Sequence, residues 1–93
     1  MSNRQRIISI SHLEGLMEKI VFVSFFDGRL IEGILQNYDD KFNLYLTECK
    51  EHIYDINNKT KFTGETRTLG ELFCKGNSIL DVSLKEGFIP LEN

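Results

Sequence analysis

The run Asn37-Tyr38-Asp39-Asp40-Lys41-Phe42-Asn43 sets an aromatic ring beside a carboxamide, just ahead of the strand-like Leu44, Tyr45, Leu46. Such a ring can stack on a nucleobase, while the amide, with both a donor and an acceptor, reads the base's edge. Ordinary structure uses the same residues: Asp and Asn favour turns, and an aromatic beside a strand more often packs into a core. Towards the other end, Lys75-Gly76-Asn77 offers a cation and exposed backbone amides, with Gly76 able to take a positive φ and admit a ligand. A glycine-containing hairpin turn accounts for these three residues equally well. Catalytic chemistry has less to work with. His12 falls by a helix cap and His52 in a strand, neither with a nucleophile or metal constellation, and both read as solvated surface histidines. Cys49 and Cys74 lack a CxxC spacing or a matching His pair, which points to buried, reduced thiols. Neither a metal nor a cofactor is expected.

Strands must hold these loops. Asp27-Gly28 lies between apolar runs and suits a two-residue type I′ hairpin turn, so Phe26 is predicted to face Arg29. Before the turn, Val21, Val23 and Phe25 alternate with Phe22, Ser24 and Phe26; polar Ser24 marks the second set as outward, leaving Phe22 and Phe26 on an outer face. After it, Ile31, Gly33 and Leu35 alternate with Glu32 and Gln36, and Gly33 predicts a bend, a bulge or a close backbone approach. The pattern gives five strands, at about 20–26, 30–38, 43–54, 66–74 and 78–84. Ser11-His12-Leu13-Glu14 matches a capping box, so a short helix is predicted from Ser11 to about Lys19, with Leu13, Leu16 and Met17 on its sheet-facing side. Residues 55–65, carrying Asn, Lys and Gly, are expected to form a mobile surface loop. The tail from Lys85 to Asn93 carries no readable pattern.

Composition bounds the possibilities. The 93 residues suit one domain, 1–93, with its core at about 12–84. With 41% hydrophobic residues and seven Phe the chain is globular, and no apolar run approaches the ~20 residues of a membrane span. Met1 to Arg6 lacks the apolar core of a signal peptide, so an intracellular protein without membrane partners is expected. A net charge of −3, from 14 acidic and 11 basic residues, argues against coating nucleic acid by phosphate neutralisation alone. Any RNA contact must be local.

From about His12 to Leu84 the sequence resembles the Sm and Sm-like (LSm) family. Val23 to Arg29, Gly33, Leu35, Asp39, Asn43, Leu44 and Leu46 to Glu48 look like its first motif; Cys74 to Ile79 with Val82 look like its second. Thr66 to Ser78 is most similar to the SmG-related branch, which holds the seventh LSm position. The resemblance implies a mainly β Sm fold: a short N-terminal helix followed by a strongly bent five-stranded antiparallel sheet, a small open barrel. It also implies a ring of subunits, typically a hetero-heptamer, in which the fourth strand of each pairs with the fifth strand of the next, with self-assembly possible for the isolated chain. Closing such a ring removes sheet edges that would otherwise pair uncontrollably. The subunit contacts so implied lie at Thr68, Leu69, Leu72, Phe73, Ile79, Leu80 and Val82. In the pore, Phe42 would stack on a base of single-stranded uridine-rich RNA, Asn43 would bond its edge with Asp39 holding the loop, and Lys75, Gly76 and Asn77 would line the opposite side. Lys75 departs from the family's usual arginine and cannot offer a planar stacking surface or a bidentate fork.

Two functions are consistent with this resemblance. One is a non-catalytic subunit of an LSm ring binding uridine-rich or oligoadenylated RNA 3′ ends, in mRNA decay or in splicing with spliceosomal small nuclear RNA, and so in nucleus and cytoplasm. The alternative is a scaffold or adaptor on the same barrel, binding proteins through its edges and through Phe22 and Phe26 without touching RNA.

Overall fold

The computed structural model describes residues 9–55, 57 and 62–87. Within them run α1 (Ile10–Glu14), β1 (Ile20–Phe25), β2 (Leu30–Tyr38), β3 (Leu44–Tyr54), β4 (Phe62–Cys74) and β5 (Ile79–Leu84), with short 3-10 turns at Gly76–Ser78 and Lys85–Gly87. The strands form one antiparallel sheet in the order β4-β3-β2-β1-β5, so β4 and β5 are its edges. Residues 1–8, which carry the N-terminal segment, residues 56 and 58–61 of the loop expected to be mobile and the tail beyond Gly87 lie outside the described residues.

The helix begins and ends earlier than its capping pattern suggests. Ser9, not Ser11, is the N-cap: its side chain accepts from His12 N at 3.2 Å, while Ser11 lies inside the helix. Past Glu14 the amides of Leu16 and Met17 reach back only three residues, to the Leu13 and Glu14 carbonyls at 2.9 and 3.4 Å, and the chain is then tied to β2. Glu18 N donates to the Leu35 carbonyl at 2.7 Å and Leu35 N to the Lys19 carbonyl at 3.1 Å.

The β1–β2 connection corrects the two-residue turn. Gly28 N donates to Phe25 O and Phe25 N to Arg29 O, at 2.9 and 3.0 Å, closing a three-residue loop with Gly28 at φ 97°. This is a type I turn followed by a left-handed bulge residue, which needs one positive φ where type I′ needs two. Phe25 therefore faces Arg29, whose guanidinium lies 5.0 Å from the Phe25 ring centre. Asp27 anchors it, accepting from Arg29 N at 3.0 Å and Arg29 Nε at 2.9 Å.

Bulges supply the curvature. A Cβ on Gly33 would stand 2.9 Å from Cys49 Sγ and 3.2 Å from the Thr47 carbonyl, so β2 and β3 cross here at glycine distance. The β2–β3 register slips between Glu32 and Ile34, opposite Glu48, which takes φ 53°. The β3–β4 register slips beside Gly70, at φ 78°. Extra residues on adjoining strands at one level bend the sheet over its own core. That core joins Leu13 of α1 and Leu16 of the turn after it to Val21, Val23, Phe25, Ile31, Leu35, Leu44, Leu46, Ile79 and Val82, with both cysteines inside it. Cys49 and Cys74 are free, and burial pushes the Cys74 thiol up to about 12, so neither is poised to react.

β4 starts at Phe62, four residues before the expected Thr66, and so shortens the loop. Phe62 pairs with Tyr54 and their rings stack at 4.4 Å, which extends the ladder into a stretch whose Thr-Gly composition reads as loop.

Phe22 is buried, not displayed. Its ring lies 5.1 Å from His52, beside Glu32, the only buried charged residue among those described. Glu32 accepts from His52 Nε2 at 2.9 Å and from Lys85 Nζ at 3.0 Å, so His52 is a partner in a buried cluster, not a solvated histidine. Burial pushes the Glu32 carboxyl up, but the bonds from His52 and Lys85 outweigh it and hold it below its usual value. A carboxylate more acidic in the folded chain than in the unfolded one stabilises the fold above its unfolded value, about 4.3, and loses that contribution as pH falls through the folded value. Urea midpoints measured from pH 6 to pH 3 are therefore expected to fall along a steeper acid limb for the parent than for Glu32→Gln; parallel limbs would remove Glu32 from this role.

Candidate nucleic-acid interface

The turn after β2 is built around Asp39. Its Oδ1 accepts from Lys41 N at 2.9 Å and Asn43 N at 3.0 Å, and its Oδ2 from Asn43 Nδ2 at 2.9 Å. The backbone closes the same turn, with Phe42 N donating to Asp39 O at 3.1 Å and Asp39 N to Asn43 O at 3.2 Å. Bonding by the Asn43 side chain, then by backbone amides, holds the Asp39 carboxyl below its usual range, so it stays a pure acceptor at neutral pH. Phe42 sits at φ 66°, uncommon for a side chain of its size. Its half-buried ring packs against the rim of the core, so part of it is structural.

The second loop meets the first through Asn43, whose Oδ1 accepts from Gly76 N at 2.8 Å. One carboxamide thus bridges Asp39 and Gly76, which fixes its orientation: the oxygen must face the amide and the nitrogen the carboxylate. One Nδ2 hydrogen and one Oδ1 lone pair remain for a ligand. Gly76 is buried, and a Cβ there would drive into the Lys41 carbonyl oxygen and stand 2.9 Å from the Phe42 carbonyl carbon. Its φ is not positive, so the glycine is required by close approach and not by backbone freedom, contrary to the sequence reading. Gly76–Ser78 is a 3-10 turn between the two edge strands rather than a hairpin turn. Phe26 N donates to Ser78 O at 2.9 Å, tying this turn to the β1–β2 loop.

Asn77 and Lys75 are exposed, and Lys75 lines an open cleft of about 470 Å³ with Tyr38, Asp39, Asn43, Tyr45 and Phe73. In this cleft the Tyr45 and Phe73 rings stack at 4.7 Å, and Tyr45 Oη donates to Glu71 at 3.0 Å. Sequence reasoning missed this pair, although Tyr45 between inward Leu44 and Leu46 had to face out. Phe73 is 78% exposed on the edge strand. Of the other positions implied as subunit contacts, Thr68 is exposed and Leu69, Leu72 and Leu80 are half-buried. Ile79 and Val82 are fully buried, backbone included, so neither is open to a neighbour in the chain as it stands. Among the described residues no cluster of His, Cys, Asp or Glu could hold a metal ion, and no helix is long and apolar enough to cross a membrane.

Residues 11–84 match the LSM domain family. The chain belongs to this family. A probable U6 snRNA-associated Sm-like protein LSm7 of Dictyostelium discoideum is 36% identical over 91% of this chain and 88% of its own length. The LSM complex subunit lsm7 of Schizosaccharomyces pombe is 28% identical over 99% of this chain and 80% of its own. Among solved structures, a heptameric archaeal Sm protein superposes with a TM-score of 0.67 at 27% identity, covering 80% of this chain and 96% of that one. The LSM domain thus accounts for the bent sheet, the N-terminal helix and both edge strands.

Proposed function

We propose that this chain is a single-domain, non-catalytic RNA-binding subunit of a hetero-heptameric LSm ring. The ring would hold uridine-rich or oligoadenylated RNA 3′ ends in mRNA decay, in pre-mRNA splicing or in both, and so work in nucleus and cytoplasm. The observation that carries this reading is the Asn43 bridge between Asp39 and Gly76. It fuses two loops distant in sequence into one rigid rim, which carries the half-buried Phe42 ring, the Asn43 amide and the exposed Lys75 ammonium. Those are what one base and one phosphate need. A chain of net charge −3 recognises RNA more plausibly through such a confined site than through a basic surface.

Relatives named as U6 snRNA-associated and a heptameric Sm structure support the ring. So do the two open edges, where Phe73 exposes a large apolar ring that an adjoining subunit would cover. Thr68, Leu69 and Leu72 flank it on β4, and on β5 half-buried Leu80 is open while Ile79 and Val82 are covered. The direct test is uridine-rich RNA binding by the ring assembled with other Sm-like subunits, for the parent and for Lys75→Ala. The variant is expected to bind more weakly and to lower the slope of log affinity against log salt by about 0.7, the share of one phosphate on a single strand. A ring that assembles but ignores RNA would favour the scaffold reading. A chain that stays monomeric and binds no Sm-like subunit would end the ring reading itself.

A further inference from the structure

The two edges of the sheet are not equally open. Phe25 N donates to Arg29 O at 3.0 Å, which makes these two a hydrogen-bonded pair and, two residues further, turns the Val23 backbone towards Ile31 of β2. On its β5 side Val23 lies opposite Val82, and with the Val23 groups spent on β2 this pair shares no bonds. The N–H and C=O of Val82 therefore point away from β1 to the outer edge of β5, where an added strand would take them, yet Val82 is covered there and has no exposed surface. The carbonyl is already occupied: His12 Nε2 lies 2.6 Å from it. Facing a carbonyl, that nitrogen must be the donor.

We propose that His12 is a latch on the β5 edge, which keeps that edge from accepting a strand and leaves β4 as the edge through which the free chain first joins an assembly. The inference rests on the ring reading, in which strands pair edge to edge. The backbone amide of an added strand would come to about 2.9 Å from the Val82 oxygen along the direction its carbonyl points. An imidazole nitrogen at 2.6 Å stands in that place. β4, with thirteen residues and the exposed Phe73, has no such cover among the described residues, whereas β5 has six residues. Each ring contact between copies of this chain needs one edge of each kind, so covering β5 restrains ring-type self-association while leaving β4 ready for a different subunit. The latch also ties α1 to β5, so the helix would shift as a neighbour docks.

The test is self-association of the whole chain by sedimentation velocity, for the parent, His12→Ala and His12→Gln. The alanine variant is expected to associate at a concentration roughly threefold to tenfold lower, the size of one net hydrogen bond, while glutamine, which keeps a donor, stays nearer the parent. Equal or weaker association of a folded His12→Ala chain overturns the latch. If that variant does not fold, nitrogen NMR of the parent decides: the His12 Nε2 proton should be protected from exchange in the monomer and lose that protection on assembly. Protection that persists in the assembled chain overturns the proposal. Absence of association in every variant, with Sm-like subunits also ignored, overturns the ring reading and the latch together; association that is merely indifferent to His12 overturns the latch alone.

Discussion

Gly76→Ala is expected to lower the thermal midpoint of this chain by roughly 12–24 °C. The added methyl carbon would drive into the Lys41 carbonyl oxygen and stand 3.0 Å from the Lys41 carbonyl carbon, so the obstacle is backbone, which no rotamer change relieves. Overpacking against a fixed wall costs about 3 kcal/mol, the upper part of its ordinary range, and a domain of this size loses ~4–8 °C per kcal/mol. Retreat is also costly, because moving Gly76 away breaks the 2.8 Å bond from its amide to Asn43. Gly33→Ala is the useful contrast. There the nearest atom, at 2.9 Å, is the sulfur of Cys49, which can turn aside, although the Thr47 carbonyl at 3.2 Å cannot. It should cost less than Gly76→Ala. A Gly76→Ala chain melting within 2 °C of the parent would mean that the two loops are not in contact as described.

What the sequence made legible, and what it hid, divides along a physical line. Period-two alternation placed β1, β2, β3 and β5 to within a residue or so, because each buries one face in the core and its apolar positions say so. It misled where both faces are covered: Phe22 was read as outward from its neighbour Ser24, yet it is buried against His52 and Glu32. Nothing local in sequence says that a Glu in β2 will meet a His in β3 and a Lys beyond β5, since three separate elements make that cluster. Turn geometry was the other blind spot. Asp27-Gly28 fits two hairpin turns differing by one residue in length, and the slip moved Arg29 from Phe26 to Phe25. At the candidate site, Asp39, Phe42, Asn43, Lys75 and Gly76 do converge. The bridging role of Asn43 was not legible, because its second partner lies 33 residues away.

That bridge sharpens what substitutions at the rim should do. Phe42→Ala removes a stacking face worth about 1–3 kcal/mol per base while leaving the Asp39-Asn43-Gly76 bonds in place, so a ring carrying it should assemble and bind uridine-rich RNA more weakly. Asn43→Ala should do more damage, because it removes the group proposed to read the base and also one acceptor of the Gly76 amide, a hydrogen bond worth about 0.5–1.5 kcal/mol in stability. Asn43→Asp separates the two effects: a carboxylate still accepts from Gly76 N but faces the ionised Asp39 where the Nδ2 donor stood. It should keep part of the stability lost in Asn43→Ala and recover none of the RNA affinity. Six other subunits of a heptamer would supply parallel contacts, so the loss for Phe42→Ala should sit near the bottom of the range, on the order of tenfold or a little less. A short RNA that fills a single site, titrated against rings of matched melting temperature, gives the comparison. If rings carrying Phe42→Ala and Asn43→Ala both bind that RNA as tightly as the parent, the base contacts assigned to this rim are wrong. The Asp39-Asn43-Gly76 joint would then be purely architectural, and the protein-binding scaffold would become the better account of the chain.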